Sequence, residues 1–258
     1  MIDWGRLLLG SLYLRPYVFA FVAVHLASSS ALLGSRRTVG FTLITWAVAY
    51  AAEFSSIRTG IPFGWYYYIP HTADRELWIG GVPFFDSISF SFLLVSSYGL
   101  AWLLLSRTTG WSRPPALRHG VLATALFVMA DVIIDPVALR GDRWFLGQIY
   151  GYPIPGIYFG VPLANFVGWG VVGAVATALY QAWERRLPPL RRVRFAGRAL
   201  LCPGLYFLVL AFNLTITFAI AEWGLGLVGL LMAVPLFARS AAAWQKGMGI
   251  PQFREGNV

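Results

Sequence analysis

The chain has 258 residues, of which 58% are hydrophobic and 12% charged. Soluble domains carry roughly 25% charged residues, so this composition excludes an ordinary soluble protein and indicates an integral membrane protein. The net charge of +9 does not indicate a nucleic-acid partner, because the basic residues lie in short segments between apolar stretches, where they set orientation in the lipid bilayer. We expect one membrane domain over residues 1–258.

The apolar stretches predict an all-α fold, a polytopic transmembrane bundle of about seven helices. A spanning helix needs roughly 20 apolar residues. Stretches near this length are found at 17–34, 38–56, 84–105, 118–135, 160–182, 198–221 and 223–243. The 16 residues before the first stretch read as an extramembrane head.

Basic residues divide unequally between the two sides of this predicted bundle. Counted on alternate sides of the segments, Lys and Arg number fourteen on one side and six on the other. The positive-inside rule therefore predicts a multi-pass protein of the cell membrane with its amino terminus outside and its carboxyl terminus, with the Arg-rich loop 185–198, in the cytoplasm. Most acids fall near the outer ends of the helices, which places any chemistry there.

Three of these acids lie in or at the end of apolar segments. Glu53 ends the second segment, and Asp131 and Asp135 lie four residues apart in the fourth, on one helix face. A charge in hydrocarbon costs several kcal/mol, so such acids are functional candidates. Pro136 predicts that the helix ends at Asp135. Two roles for Asp135 stay open: a structural one, as a helix cap or as a partner of Arg140 or Arg143, and a chemical one. Asp86, at the start of the third segment, complements a helix dipole.

The loop between the second and third segments is irregular and aromatic. It contains Gly60, Pro62 and Gly64, and the run Trp65–Tyr68 follows. Two interpretations stay open: an aromatic belt at the membrane interface, or a re-entrant cap whose rings line a pocket. In the fifth segment, Asn165 and Trp169 share a helix face. The topology puts Glu53, Asp131, Asp135, Asn165 and Trp169 on one side of the membrane.

Motifs for metal or nucleotide chemistry are missing from the sequence. His25, His71 and His119 are scattered and Cys202 is the single cysteine, so we predict no metal site. There is no phosphate loop, nucleophile elbow or dinucleotide fingerprint, and we expect no cofactor. Buried neutral acids remain, and these protonate weak bases while aromatic faces stabilise the resulting cation. This chemistry suits an alkene, and hence an isoprenoid substrate.

The residues that carry these features form a recognisable series. It reads Glu53, Gly60-x-Pro62-Phe63-Gly64-x-Tyr66-x-Tyr68, Gly81-Val82-Pro83, Asp131-x-x-x-Asp135-Pro136, Trp144 and Tyr158-x-Gly160-x-Pro162-x-x-Asn165-x-x-Gly168-Trp169. This series, over residues 53–169, resembles the membrane carotenoid biosynthesis family of carotenoid 1,2-hydratases. The resemblance implies addition of water across the terminal 1,2 double bond of an acyclic, lycopene- or gamma-carotene-like end group. The product is a tertiary alcohol, made without a redox cofactor and alongside other carotenoid biosynthesis enzymes.

Roles for the candidate residues follow from acid-catalysed hydration. We expect Asp131 to be the general acid, with Glu53 and Asp135 as supporting carboxylates. Asn165 or Asp135 would hold the water that adds to the cation. Glu53 would either hold that water or relay protons from the outer surface, and both roles stay open. We expect the aromatic residues to surround the polyene end and shield the cation; they are Tyr66, Tyr68, Trp144, Tyr158 and Trp169.

Three rival functions meet obstacles in the sequence. A retinal protein needs a buried lysine, and the single lysine, Lys246, lies beyond the last apolar segment. A magnesium-dependent prenyltransferase or cyclase uses aspartates spaced like Asp131 and Asp135, but needs a second acidic loop and basic residues for diphosphate. A carotenoid or lipid carrier explains the aromatic rings but not the buried acids.

Overall fold

The computed structural model describes residues 3–109, 113–190 and 197–249, without the side chains of 107–109 and 246–249. Residues 191–196 of the predicted cytoplasmic loop and the side chain of Lys246 therefore lie outside the described residues. Within the described ranges the chain forms eight α-helices and two short two-stranded sheets. The predicted all-α bundle is confirmed.

The helices follow the apolar stretches, with one addition at the amino terminus. Their bounds are α1 Trp4–Leu14, α2 Pro16–Leu33, α3 Ser35–Thr59, α4 Phe84–Thr109, α5 Ala116–Ala138, α6 Leu163–Glu184, α7 Leu201–Ala219 and α8 Trp223–Gly249. Two 3-10 turns lie at Gly141–Arg143 and Gly197–Leu200.

In the part of the chain that the structure describes, six helical stretches are long and apolar enough to cross a membrane: α2, α4, α5, α6, α8 and the stretch Gly197–Ala219 that contains α7. The chain is thus a multi-pass membrane protein. The second predicted segment does form a helix, α3, but α3 is not among these six. Its polar residues explain the difference, because several of them are buried inside the bundle instead of facing lipid; they are Thr38, Thr42, Thr45, Glu53 and Ser56.

Helix α4 occupies the centre of the bundle. It packs against α2, α3, α5, α7 and α8. Buried residues make up 78% of its apolar stretch, the highest share among the six candidate spans. Asp86, in the first turn of α4, is therefore carried into the interior and not to the protein surface.

The predicted amino-terminal head is in fact helix α1, which lies against the loop after α3. Ser11 Oγ accepts a hydrogen bond from the Leu77 amide at 2.8 Å. A Cβ on Gly10 would lie 1.7 Å from the Arg75 carbonyl oxygen, so only glycine permits this approach. Arg15, between α1 and α2, is buried and pairs with Glu76 at 3.2 Å. These contacts fix the loop over the end of the bundle.

Two short sheets organise the loops that cover this end. Strand β1, Tyr67–Tyr68, pairs antiparallel with β4, Tyr150–Gly151, so that Tyr68 lies opposite Tyr150. Strands β2, Trp78–Ile79, and β3, Val82–Pro83, form a hairpin whose turn residues, Gly80 and Gly81, both have positive φ. A two-residue turn of this kind suits glycine. The β1–β4 pairing joins the loop after α3 to the loop after α5.

Candidate active site

A cavity of about 100 Å³, which we call the acid cavity, lies beneath these joined loops. Its walls come from the last turns of α3 and α5, the first turns of α4 and α6, and both loops. The lining residues are Glu53, Phe63, Tyr66, Tyr68, Asp86, Ser89, Phe90, Leu93, Asp131, Ile134, Asp135, Ala138, Ile149, Tyr150, Tyr152, Asn165 and Trp169. Four carboxyl groups thus share one small and otherwise apolar space.

The first pair of acids lies on α5 and is bridged by an amide from α6. Asn165 Nδ2 lies 2.9 Å from Oδ2 of Asp131 and 3.1 Å from Oδ2 of Asp135. The four-residue spacing predicted that the two acids share a face, and one turn of helix separates them. An amide nitrogen carries two hydrogens, so one asparagine can donate to both carboxyl groups.

Asp135 receives two further hydrogen bonds, both from the loop after α5. The Tyr150 hydroxyl donates to its Oδ1, and the Tyr152 hydroxyl donates to its Oδ2 at 3.1 Å. The expected helix end at Asp135 is wrong: α5 continues through Pro136 to Ala138. The contacts with Asn165, Tyr150 and Tyr152 outweigh the weak local preference against helical geometry before proline.

The arginines predicted as partners of Asp135 bind another acid. Arg140 pairs with Glu222 at 2.9 Å, and Arg143 also pairs with Glu222. The guanidinium of Arg140 further donates to the backbone carbonyls of Pro136 and Phe159. The structural interpretation of Asp135 through these arginines is therefore wrong, because both arginines point away from the acid cavity to the start of α8.

The second pair of acids joins α3 to α4 through a phenol. The Tyr68 hydroxyl lies 2.8 Å from Oε1 of Glu53 and 2.7 Å from Oδ2 of Asp86. A phenol has one hydrogen to donate, so two close carboxyl oxygens are both satisfied only when one of the acids donates to the phenol oxygen. Glu53, Tyr68 and Asp86 can therefore hold and share a proton.

One oxygen of each pair stays without a hydrogen-bond partner among the described residues. These atoms are Oε2 of Glu53 and Oδ1 of Asp131, and both are buried. Leaving a buried polar atom unpaired costs about 1–3 kcal/mol, so such atoms call for an explanation. Both belong to residues that line the acid cavity, which holds room for water and a small hydrocarbon group.

Aromatic rings form most of the remaining wall. Phe90 stacks on Trp169 with ring centroids 4.2 Å apart, and Tyr66 packs edge-to-face with Tyr68 and Tyr150. Phe63 reaches the cavity because α6 has glycine at 168, where a Cβ would lie 2.3 Å from the Phe63 ring. Between the two interpretations of the loop, its Tyr66 and Tyr68 rings favour the cap, whereas Trp65 and Tyr67 are exposed.

The tyrosines of the covering loops remain neutral hydrogen-bond donors. Burial raises the pKa of the Tyr68, Tyr150 and Tyr152 phenols, and the neighbouring Asp86 and Asp135 raise it further. Tyr66 behaves likewise, because burial and then Glu53 raise its pKa. All four therefore keep their protons at neutral pH. Tyr68, Tyr150 and Tyr152 donate to carboxyl groups, and the Tyr66 hydroxyl donates to the Tyr68 hydroxyl at 3.5 Å.

Seven of the nine predicted site residues line this cavity: Glu53, Tyr66, Tyr68, Asp131, Asp135, Asn165 and Trp169. Trp144 and Tyr158 do not. The Trp144 indole donates to the Val137 carbonyl at 3.1 Å. Tyr158 instead packs edge-to-face on Phe159 and Phe166.

Ten lining residues were not among the predicted site residues, and the four of most chemical interest are Asp86, Phe90, Tyr150 and Tyr152. Asp86 had a sufficient local explanation in the helix dipole. The two tyrosines lie in a loop whose role depends on a two-residue strand pairing. The spacing of Asp86 and Phe90, four residues apart on one helix face, was a usable signal for a wall of α4.

None of the residues that line the acid cavity is basic. In the described part of the chain, no three His, Cys, Asp or Glu side chains are grouped so that they could hold a metal ion. No basic side chain is therefore available at the acid cavity to hold a phosphate group.

A known family and a known protein resemble this chain. A family profile described as carotenoid biosynthesis protein matches residues 12–236, most of the chain. The chain belongs to the carotenoid biosynthesis protein family. It also resembles a protein named bisanhydrobacterioruberin hydratase from Haloarcula japonica, with 31% identity over 159 residues, which is 61% of this chain. The chain spans about half the length of that relative, since the match covers 50% of it. No solved structure matches.

The family match reaches further than the residues on which the resemblance was predicted. The predicted series covers 53–169, whereas the match extends from within α1 to α8. The helices outside the series are therefore part of the family fold, and the site described above lies within the matched region. The protein is thus a multi-pass membrane member of the carotenoid biosynthesis protein family.

Proposed function

We propose that the protein is a carotenoid hydratase, which adds water across the terminal 1,2 double bond of an acyclic carotenoid end group. The observation that carries this proposal is the pair of unpartnered carboxyl oxygens, on Glu53 and Asp131, at one apolar cavity. Hydration needs a proton donor and a proton acceptor near the same double bond, and two acids supply both.

Asp131 is the proton donor in this proposal. Asp135 receives hydrogen bonds from Asn165, Tyr150 and Tyr152, whereas Asp131 receives one, from Asn165. More donors favour the charged form, so Asp135 carries the negative charge and Asp131 the proton. With Oδ2 bound by Asn165, the proton of Asp131 resides on Oδ1 and is free to move to the alkene.

Protonation gives the less substituted alkene carbon a new C–H bond and leaves a tertiary cation. Trp169, Phe90 and Tyr66 line the cavity in which this charge would develop. A cation–π contact is worth about 0.5–2 kcal/mol, and more where water is excluded. Asp131, now a carboxylate, stabilises the same cation by charge.

Glu53 completes the reaction by binding the water. Its Oε1 accepts from Tyr68, and its free Oε2 accepts a proton from the water as the oxygen attacks the cation. Asp86 then donates to the Tyr68 oxygen, which leaves Glu53 as the base. The proton gained by Glu53 returns to Asp131 through water in the cavity, so the net change is addition of one water without a redox cofactor.

The diphosphate chemistry of a prenyltransferase or cyclase fits this cavity poorly. Such enzymes bind a diphosphate through metal and basic side chains, and no basic residue lines the acid cavity. A carrier would need only the aromatic walls. The four carboxyl groups would have no role in it, although placing them in an apolar space costs free energy.

Production of the protein in a lycopene-producing host, followed by product mass measurement, tests the proposal. We expect products heavier by the mass of water. Asp131→Asn should give a folded, membrane-inserted protein without this product, and Asp74→Asn, at an exposed acid outside the cavity, should retain it. Unchanged carotenoid from the native protein would contradict the proposal, and a longer chain would favour a prenyltransferase.

A further inference from the structure

The acid cavity is small compared with any carotenoid. Cavities of roughly 150 Å³ hold benzene, so a cavity of about 100 Å³ holds at most the tip of an end group. If the proposed function is correct, the rest of a long conjugated chain must continue from the acid cavity into another part of the protein.

A second cavity, also of about 100 Å³, lies directly beside the first. We call it the aromatic cavity. The two cavities share six lining residues: Asp86, Ser89 and Leu93 of α4, Ile134 and Ala138 of α5, and Ile149 of the loop. They are thus adjacent compartments on either side of one set of side chains.

Aromatic rings provide much of the wall of this second compartment. They come from α2, α4, α7 and the loop after α5, and are Tyr17, Phe21, Phe85, Phe92, Trp144 and Phe212. The rings of Tyr17 and Phe212 are nearly parallel, with centroids 5.6 Å apart and an angle of 21°. A planar conjugated carotenoid chain can stack against such rings, because stacking requires two planar groups.

We propose that the aromatic cavity binds the polyene segment adjoining the reacting end group, and so selects for long conjugated acyclic substrates. The inference rests on the proposed function for the identity of the end group. It also accounts for Trp144, which lines this compartment and not the acid cavity. Of the shared residues, Ser89 and Ala138 have short side chains, and the polyene chain passes between the compartments beside them.

Filling the aromatic cavity tests the inference without touching the acids. Asn213 lines it from α7 and is buried, whereas Thr215 on the same helix is exposed. We would purify the native protein, Asn213→Phe and the control Thr215→Phe in detergent. Each would be incubated with lycopene and separated from free pigment, and the ratio of polyene to protein absorbance measured. We expect Asn213→Phe to retain about tenfold less lycopene, and Thr215→Phe as much as the native protein.

A second variant covers the case in which Asn213→Phe does not fold. Phe212→Leu removes one ring while keeping an apolar wall, and should lower lycopene retention several-fold in a protein that still unfolds in a cooperative thermal transition. Normal retention by every folded cavity variant, or no retention by the native protein, would overturn the inference.

The binding assay also separates this inference from the proposed function. Native protein that binds lycopene through the aromatic cavity but forms no water adduct would leave the inference standing and refute the hydratase. If the native protein hydrates lycopene, and Phe212→Leu and Asn213→Phe bind and hydrate it normally, the hydratase would stand and the inference would be refuted.

Discussion

The Nδ2 atom of Asn165 lies 2.9 Å from Oδ2 of Asp131, although the two residues belong to different helices. This contact decides which carboxyl oxygen is bound and which is free. Asn165 lies in the first turn of α6 and Asp131 lies one turn before Asp135 in α5, so the contact also sets the rotation of each helix about its axis. The proton-donating oxygen of the proposed reaction is therefore positioned by the packing of two helices.

Tyr68→Phe should destabilise the fold, because it removes the hydroxyl that lies between Glu53 and Asp86. Two buried carboxyl groups would lose a partner, at a cost of about 1–3 kcal/mol. Thermal unfolding in detergent measures this loss. The neighbouring Tyr67→Phe is the matched control, since Tyr67 is 49% exposed, and it should change stability by less than about 0.5 kcal/mol. Equal stability of the two variants would show that the Tyr68 hydroxyl does not stabilise the fold through Glu53 and Asp86.

The acids on α3 and α5 and the amide on α6 could be brought together from the sequence because their signals are local. The spacing of Asp131 and Asp135 placed both acids on one face, and alternation of the segments placed Glu53 and Asn165 at the same end. Asp86 was missed because an acid at a helix start already has a local explanation. Tyr150 and Tyr152 depend on the β1–β4 pairing, which is two residues long and carries no periodic pattern.

The fold could be predicted in outline for the same reason. Among the described residues, six helices can be predicted from their length and apolar composition. Helix α3 lacks this signal, because its buried polar residues lower its mean hydropathy. Helix α1 is short, and its position depends on contacts of Gly10 and Ser11 with a distant loop. Such contacts join segments far apart in the chain, where no local pattern records them.

Two glycines of α6 should respond in opposite directions to alanine. A Cβ at Gly168 would lie 2.3 Å from the Phe63 ring, whereas the nearest atom to a Cβ at Gly170 is 3.8 Å away. Gly168→Ala should cost about 1–3 kcal/mol of stability by overpacking. Gly170→Ala should be neutral, or stabilise by up to about 1 kcal/mol through helix propensity. Unfolding temperatures of the pair give the comparison.

Gly168→Ala should also lower activity, because Phe63 forms part of the wall of the acid cavity. Product formation by the folded fraction measures this effect. Full activity would mean that the loop after α3 can shift without disturbing the site, which would contradict its role as a cap.

Hydration should survive removal of divalent metal. The proposed steps use Asp131, Glu53 and water, and none requires a metal ion. We expect equal product formation with and without EDTA in washed membranes. Loss of activity on chelation, with recovery on adding magnesium, would favour a metal-dependent reaction at Asp131 and Asp135.

The orientation of the bundle remains a prediction from the basic residues. Ile154, in the loop after α5, is 79% exposed, and Arg186 is exposed at the opposite end of α6. Because Cys202, the single native cysteine, is buried, an introduced cysteine would report alone. A membrane-impermeant thiol reagent applied to intact cells should label Ile154→Cys and not Arg186→Cys. Labelling in the reverse order would place the acid cavity at the cytoplasmic side.

The origin of the added proton tests the central claim most directly. Native protein supplied with lycopene in deuterated water should yield a tertiary alcohol with one deuterium on the adjacent carbon, because Asp131 exchanges its proton with solvent before donating it. Asp131→Asn, which keeps the size and the contact with Asn165, should yield no such product. A hydrated product without this deuterium, or near-normal deuterated product from Asp131→Asn, would contradict the account.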